Sequence, residues 1–174
     1  PLLVSGGLDH AVCLWQPAKS PLTGWTLNRL WRVGSGDPGS HTARVSAVAV
    51  GKGPSKHLLF SGAWDRTVKV WPMRANGGNP TPVATLDGHY GRVASIDVTQ
   101  SGLHLVSASP DMTCIVRSTK QPAFAPLARY ISLSADGAIT TIAAGLDSFV
   151  SCSESGQVRV WPLPGAKSEW DDRF

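Results

Sequence analysis

The chain has 174 residues, 42% of them apolar and only 16% charged, with a net charge of +4. That composition fits one ordinary globular domain and excludes a disordered polymer, while the absence of any run of five like charges excludes a basic tail. Eighteen Gly and thirteen Pro demand many turns, so short strands are expected in place of long helices.

Other classes fall away with equal economy. Three cysteines, Cys13, Cys114 and Cys152, lack CxxC or His-rich spacing, which argues against a disulfide scaffold or a zinc site and for a reduced, intracellular protein. No apolar run approaches membrane-spanning length, and no signal-peptide pattern opens the chain. The first residue is Pro, and the chain is expected to be a piece of something longer.

In chain order, residues 3–15 (LVSGGLDHAVCLW) read as two short alternating strands around a turn of small residues and Asp9. Residues 25–33 (WTLNRLWRV) form an outer-strand candidate, followed by a solvent loop, GSGDPGS. RVSAVAV (44–50) leads into LFSGAWDRTVKVW (59–71), where Leu58 and Phe60, then Val68 and Val70, alternate as half-buried strands require. The loop RANGGNPTP (74–82) precedes a weak strand at 82–86. RVASIDV (92–98), LVSASPDMTCIVR (105–117) and a strand at 127–131 follow. AITTIAA (138–144) leads into FVSCSESGQVRVW (149–161), and AKSEWDDRF (166–174) is a poor strand, read as a tail.

The four 13-residue blocks align without a gap. Ser5, Asp9 and Trp15 recur as Ser61, Asp65 and Trp71; the third block keeps Ser107 and Asp111 but ends on Arg117; the fourth keeps Ser151 and Trp161 but has Ser155 at the Asp position. The last positions lie 56, 46 and 44 residues apart, and a period in this range marks a repeat architecture. Four antiparallel strands per repeat is one propeller blade.

With DGHYGRV (87–93) and SHTARV (40–45), which resemble the Gly-His loop before a first strand, the chain resembles the WD40 β-propeller family over nearly its whole length. The resemblance implies an all-β fold, a partial propeller of three to four blades from a ring of seven. Residues 1–33 are then a blade lacking its first strand, 41–86 and 89–131 two full blades, and 138–165 a blade lacking its last strand. It also implies that His41, Ser61, Asp65 and Trp71 form a structural hydrogen-bonded tetrad. His89, Ser107 and Asp111 match three of its four positions, while the blades carrying Arg117 and Ser155 are less firmly tied. A narrower resemblance, LLFSGAWDRTVKVW and TPVATLDGH, is to the WD-repeat ribosome-biogenesis factors that partner pescadillo-type proteins.

The recurring Ser, His and Asp raise a hydrolase triad, but repetition at blade spacing suits a fold-holding network better than one exposed nucleophile. No catalytic residue, metal site, cofactor or small-molecule substrate is expected. Cys114 matches the inward positions Val12, Val68 and Val158 and reads as a small core residue; Cys13 takes the alternate face with Lys69 and Arg159. Trp64 lies just before the turn Asp, at positions matched by Leu8, Pro110 and Glu154. The family resemblance places these on the top face near the channel. Arg44 and Arg92 each follow a loop His by three residues, so Trp64, Arg44, Arg92 and Tyr90, with Leu8, are the expected partner-binding patch. The alternative is that Trp64 packs against the next blade's loop.

The functional expectation is a non-enzymatic protein–protein interaction scaffold, in large-subunit ribosome biogenesis by the narrower resemblance. A peptide-binding adaptor for acidic or phosphorylated motifs and an RNA-binding propeller are the alternatives. Partners are other proteins of a complex, with RNA within a ribonucleoprotein and no membrane, in the nucleus, nucleolus or cytoplasm.

Overall fold

The computed structural model describes residues 2–20, 24–74, 79–132 and 137–165. The tail expected at 166–174 and the centre of the 74–82 loop lie outside the described residues.

Among the described residues, strands make four separate antiparallel sheets. The first pairs β1 (Leu3–Gly6), β2 (Val12–Ser20) and β3 (Gly24–Val33) in that order. The second runs β4 (Val45–Val50), β5 (Leu58–Ala63), β6 (Val68–Pro72), β7 (Ala84–Leu86). The third runs β8 (Ser95–Val98), β9 (His104–Ala108), β10 (Thr113–Ser118), β11 (Pro126–Ile131). The fourth holds β12 (Ile139–Ala144), β13 (Ser148–Ser153) and β14 (Val158–Pro162). Each sheet is a simple meander, and the strands that open consecutive sheets touch: β1 meets β4, β4 meets β8, and β8 meets β12.

The alternation of side chains along a strand explains the packing. On β5, Leu58 and Phe60 point to one side and join Val93, Ile96, Val98 and Leu105 of the third sheet. Leu59 and Ala63 point to the other side and join Val12, Leu14 and Val33 of the first. Every residue of β5 is therefore buried. A third apolar layer, with Val106, Cys114, Ile142 and Phe149, lies between the third and fourth sheets. Burial of each large apolar side chain contributes about 1.5–3 kcal/mol, so an interior sheet depends on neighbours on both faces.

The equivalence of Val12, Val68, Cys114 and Val158 separates at its last member. The first three face the following sheet and are at most 3% exposed, whereas Val158 has no following sheet among the described residues and is 63% exposed. Its register is the expected one, pairing with Cys152. Cover, not register, differs.

Two glycines set how closely the sheets approach. A Cβ on Gly62 would stand 2.5 Å from Val93 Cγ1, and one on Gly6 would stand 2.5 Å from Val45 Cγ1. Without side chains there, the Val93 N–H reaches the Ala63 carbonyl at 3.0 Å and the Val45 N–H reaches that of Gly7 at 3.0 Å. Ser46 Oγ adds a bond to the Gly62 carbonyl at 3.2 Å and one to that of Val93. The loop carrying Arg92 is thus pinned against the end of β5. Gly62→Ala is expected to destabilise the chain by about 1–3 kcal/mol, because the added methyl must push Val93 away. Urea unfolding monitored by far-UV circular dichroism measures this.

Candidate functional site

The candidate site grows out of a turn that occurs four times. In the second sheet the Ala63 N–H donates to the Thr67 carbonyl and the Arg66 N–H to that of Ala63, both at 3.2 Å. The same pair of bonds links Gly7, His10 and Ala11; Ser109, Met112 and Thr113; and Ser153, Gly156 and Gln157. These are three-residue hairpin loops that end on a left-handed residue: φ is 63° at His10, 70° at Arg66, 68° at Met112 and 82° at Gly156. A side chain resists that conformation, and the Asp just before it compensates. Asp65 Oδ1 accepts the Thr67 N–H at 3.1 Å, and Asp111 Oδ1 accepts that of Thr113 at 2.9 Å. In the fourth loop Ser155 replaces Asp, and Gly takes the left-handed place.

The first residue of each loop lies beyond the strand ladder; it is exposed in three of the loops and half-buried at Pro110. Leu8 is 75% exposed and Trp64 40%, while Pro110 and Glu154 occupy the same place in the other two loops. The exposure of Trp64 follows from its position in the loop.

Behind the second loop lies a closed hydrogen-bond relay. Trp71 Nε1 donates to Ser61 Oγ at 2.8 Å; Ser61 Oγ lies 2.8 Å from His41 Nε2; His41 Nδ1 lies 2.7 Å from Asp65 Oδ2. A carboxylate can only accept, so Nδ1 carries the proton and Nε2 accepts from the Ser61 hydroxyl. Burial alone would raise the Asp65 carboxyl, but the bonds from His41 and Thr67 outweigh it and hold the group well below the usual carboxylate range. These distances are those of a Ser-His-Asp triad. However, Ser61 is fully buried, its oxygen is already bonded by the indole, and the His41 side chain has no exposure. No substrate carbonyl reaches that oxygen.

The other three sheets carry parts of this relay. His89 Nε2 lies 2.9 Å from Ser107 Oγ, and its Nδ1 lies 3.0 Å from Thr113 Oγ1 and 3.3 Å from Asp111 Oδ2. Burial holds the His89 imidazole below its ordinary value, against the pull of Asp111. Asp111 is lowered too, with burial overcome by donors from Thr113 and the Tyr90 N–H. Arg117, where Trp stands elsewhere, turns its Nη2 to the Asp87 carbonyl. In the first sheet Trp15 Nε1 donates to Ser5 Oγ at 2.9 Å, and Asp9 pairs with Arg32 at 2.9 Å in place of a His. The fourth sheet keeps the bond from Trp161 Nε1 to Ser151 Oγ at 2.8 Å.

On the outer side of the second loop, Arg44 Cζ lies 3.9 Å from the centroid of the Trp64 ring and Arg92 Cζ 4.7 Å. The Trp64 N–H donates to the Arg44 carbonyl at 2.9 Å. Arg92 belongs to the loop of the next sheet, so Trp64 packs against that loop while remaining partly exposed. Tyr90, 82% exposed, faces differently; its ring contact is with Arg129, whose Cζ is 5.9 Å away. The expected patch is therefore two clusters, with Leu8 on the corresponding loop of the first sheet. Sequence reasoning missed Arg129, Ser46 and the closeness at Gly62, because no local pattern signals a contact between sheets. Arg66 in the turn itself carried a signal, its positive charge beside Trp64. Among the described residues no cluster of His, Cys, Asp and Glu could hold a metal ion.

Ser61→Ala is expected to cost about 1–3 kcal/mol in urea unfolding, since it strands the buried Trp71 N–H and His41 nitrogen. Ser5→Ala, at an exposed bond, should cost about 0.5 kcal/mol or less. For pH the folded values of His89, Asp65 and Asp111 all lie below the unfolded ones. The unfolded chain therefore binds protons first as pH falls, and stability is lost below about 6.5 through His89 and below about 4 through the carboxyls. Urea midpoints at several pH values should fall in those two windows, and His89→Gln should shrink the upper one, leaving the part due to His104, whose imidazole burial also lowers.

Comparison with known proteins places these observations. The family described as WD domain, G-beta repeat, matches residues 38–72 and 80–118. Transducin beta-like protein 3 of Rattus norvegicus is 29% identical over 171 residues, covering 92% of this chain and 19% of the relative. Ribosome biogenesis protein YTM1 of Chaetomium globosum is 26% identical over 158 residues, covering 84% of this chain and 32% of the relative. Among solved structures, one titled "Structure of U3-55K" superposes with a TM-score of 0.76 at 20% identity, covering 95% of this chain and 46% of that one. The chain thus spans about a fifth of the first curated relatives it matches and under half of the matching solved chain. Four meandering sheets, the recurring Ser, Asp and Trp positions and these matches identify WD40 repeats at residues 38–72 and 80–118, within the all-β fold of a partial propeller.

Proposed function

We propose that this WD40 chain is a non-enzymatic interaction scaffold in a multiprotein assembly of the ribosome-biogenesis kind, acting in the nucleus, nucleolus or cytoplasm. One observation carries the reading: a relative named for ribosome biogenesis aligns with 84% of this chain. WD40 repeats serve generally as non-catalytic scaffolds, and the sealed Ser61 hydroxyl supports that role here. Rigid sheets holding repeated outward loops suit the simultaneous engagement of proteins, and of RNA within a ribonucleoprotein.

A second reading, a peptide-binding adaptor for acidic or phosphorylated motifs, is favoured by the Arg44–Trp64–Arg92 cluster. The RNA-binding reading has less support, because base stacking needs an open aromatic face and two guanidiniums already lie over this one.

Affinity purification of the full-length protein, wild type against Trp64→Ala, with partners identified by mass spectrometry, tests the scaffold reading. Ribosome-assembly proteins should accompany the wild type and fall several-fold in the variant. A wild-type sample without them sinks the assembly reading. An unchanged partner set in a folded variant removes Trp64 from the interface.

A further inference from the structure

Arg44 and Arg92 are both exposed, and among the described residues neither has a carboxylate partner. Arg66, also exposed and, among the described residues, also without an ion pair, sits in the same loop as Trp64. Asp65, between Trp64 and Arg66, is turned inward; its side chain is 9% exposed and holds His41, Thr42 and Thr67. Three cations therefore surround one loop whose own acid is committed elsewhere. Like charges so placed repel one another, and an exposed guanidinium on an indole regains only a little of that cost.

The backbone holds the arrangement in place. Trp64 is tied to Arg44 through its N–H, and the Arg92 loop is tied to the residue before Trp64 by the bond from the Val93 N–H to the Ala63 carbonyl. The close contact at Gly62 and the two bonds from Ser46 lock that junction. Both guanidiniums lie over the indole yet belong to exposed residues, and among the described residues neither donates a side-chain hydrogen bond, which leaves their N–H donors available to a ligand. A planar fork of N–H donors matches a carboxylate bidentately, in a way an ammonium does not. The nearby N–H groups of Tyr90 and Gly91, which could have cradled a phosphate, are bonded to Asp111 instead.

We infer that Arg44 and Arg92 form a paired guanidinium reader for an acidic peptide segment carrying at least two adjacent carboxylates, and that Trp64 is a positioning residue that holds both guanidiniums rather than the surface the ligand stacks on. The inference rests on the reading of this face as a partner surface and names the chemistry that face takes. Charge alone would attract many anions; the fork suits carboxylate and phosphate oxygens alike, and the commitment of the Tyr90 and Gly91 N–H groups to Asp111 is what favours carboxylate.

The test uses fluorescence anisotropy with the full-length protein and four labelled probes: a glutamate-rich decapeptide, its glutamine counterpart, a phosphoserine counterpart and oligouridine. The glutamate peptide should bind at least about tenfold more tightly than the glutamine peptide at physiological salt. Arg44→Lys and Arg92→Lys keep the charge but lose the fork, and each should weaken binding about tenfold. Trp64→Leu should weaken it similarly, whereas Trp64→Phe, which keeps an aromatic platform, should stay within about threefold. Circular dichroism confirms that each variant folds. Equal binding by the lysine variants overturns the fork. Unimpaired binding by Trp64→Leu overturns the positioning role. Stronger binding of the phosphoserine peptide or of oligouridine, lost in the same variants, replaces carboxylate by phosphate or RNA as the ligand. Failure of the glutamate peptide to bind while ribosome-assembly proteins still copurify rejects this inference and leaves the scaffold reading standing; binding without those proteins does the reverse.

Discussion

Ser61 Oγ is the atom on which the second sheet depends. It accepts from Trp71 on β6, donates to His41 on the preceding loop, and sits on β5 with no exposure. Two strands and the loop that precedes them are joined at one hydroxyl, which donates once and accepts once. Buried polar groups are expensive unless paired, so a relay that pairs all of them both tolerates burial and specifies geometry. Through Asp65 the relay reaches the hairpin loop and supports a left-handed Arg66 that would otherwise be disfavoured.

The graded loss of this relay across the chain is instructive. The second sheet has all of it. The third loses the Trp, and Arg117 reaches the Asp87 carbonyl in its place. The first substitutes an exposed Arg32–Asp9 pair, an interaction worth little in water. The fourth keeps only the indole-to-serine bond and uses Gly156 for the left-handed residue. What persists in all four is the pair of backbone bonds that shape the loop. Side-chain support varies while the loop's backbone bonds do not, and the residue placed first in the loop is exposed in three of the four, Pro110 being half-buried. A surface residue there is free to serve recognition, and in the second loop it is the only Trp among Leu8, Trp64, Pro110 and Glu154.

Much of the fold was legible because it repeats. Four blocks with one Ser-Asp-Trp spacing identified the strands and the turn, and the alternation at Leu58, Phe60, Val68 and Val70 predicted the buried faces. The candidate site was only half legible. Trp64 stood out as an aromatic residue at a turn, and the Arg residues stood out by their distance from a loop His. That Arg44 and Arg92 lie over one ring, while Tyr90 turns to Arg129, depends on how two sheets meet. Likewise Val158 occupies an inward register by pattern but is exposed, because cover comes from a neighbouring sheet and not from the strand's own residues.

The sequence by itself determined the elements, their order within each sheet, and the turn that turns Trp64 outward, since these follow from side-chain alternation and local hydrogen bonding within a dozen residues. Only the tertiary structure decided the spacing between sheets, because that spacing is set where Gly62 meets Val93 and Gly6 meets Val45, across gaps of 31 and 39 residues. A missing side chain has no sequence signature beyond being glycine, but it allows the next sheet's loop to come close enough for Arg92 to reach Trp64. Local patterns report what a segment can form; the contact between segments depends on the shapes of both, and shape exists only once the chain has folded.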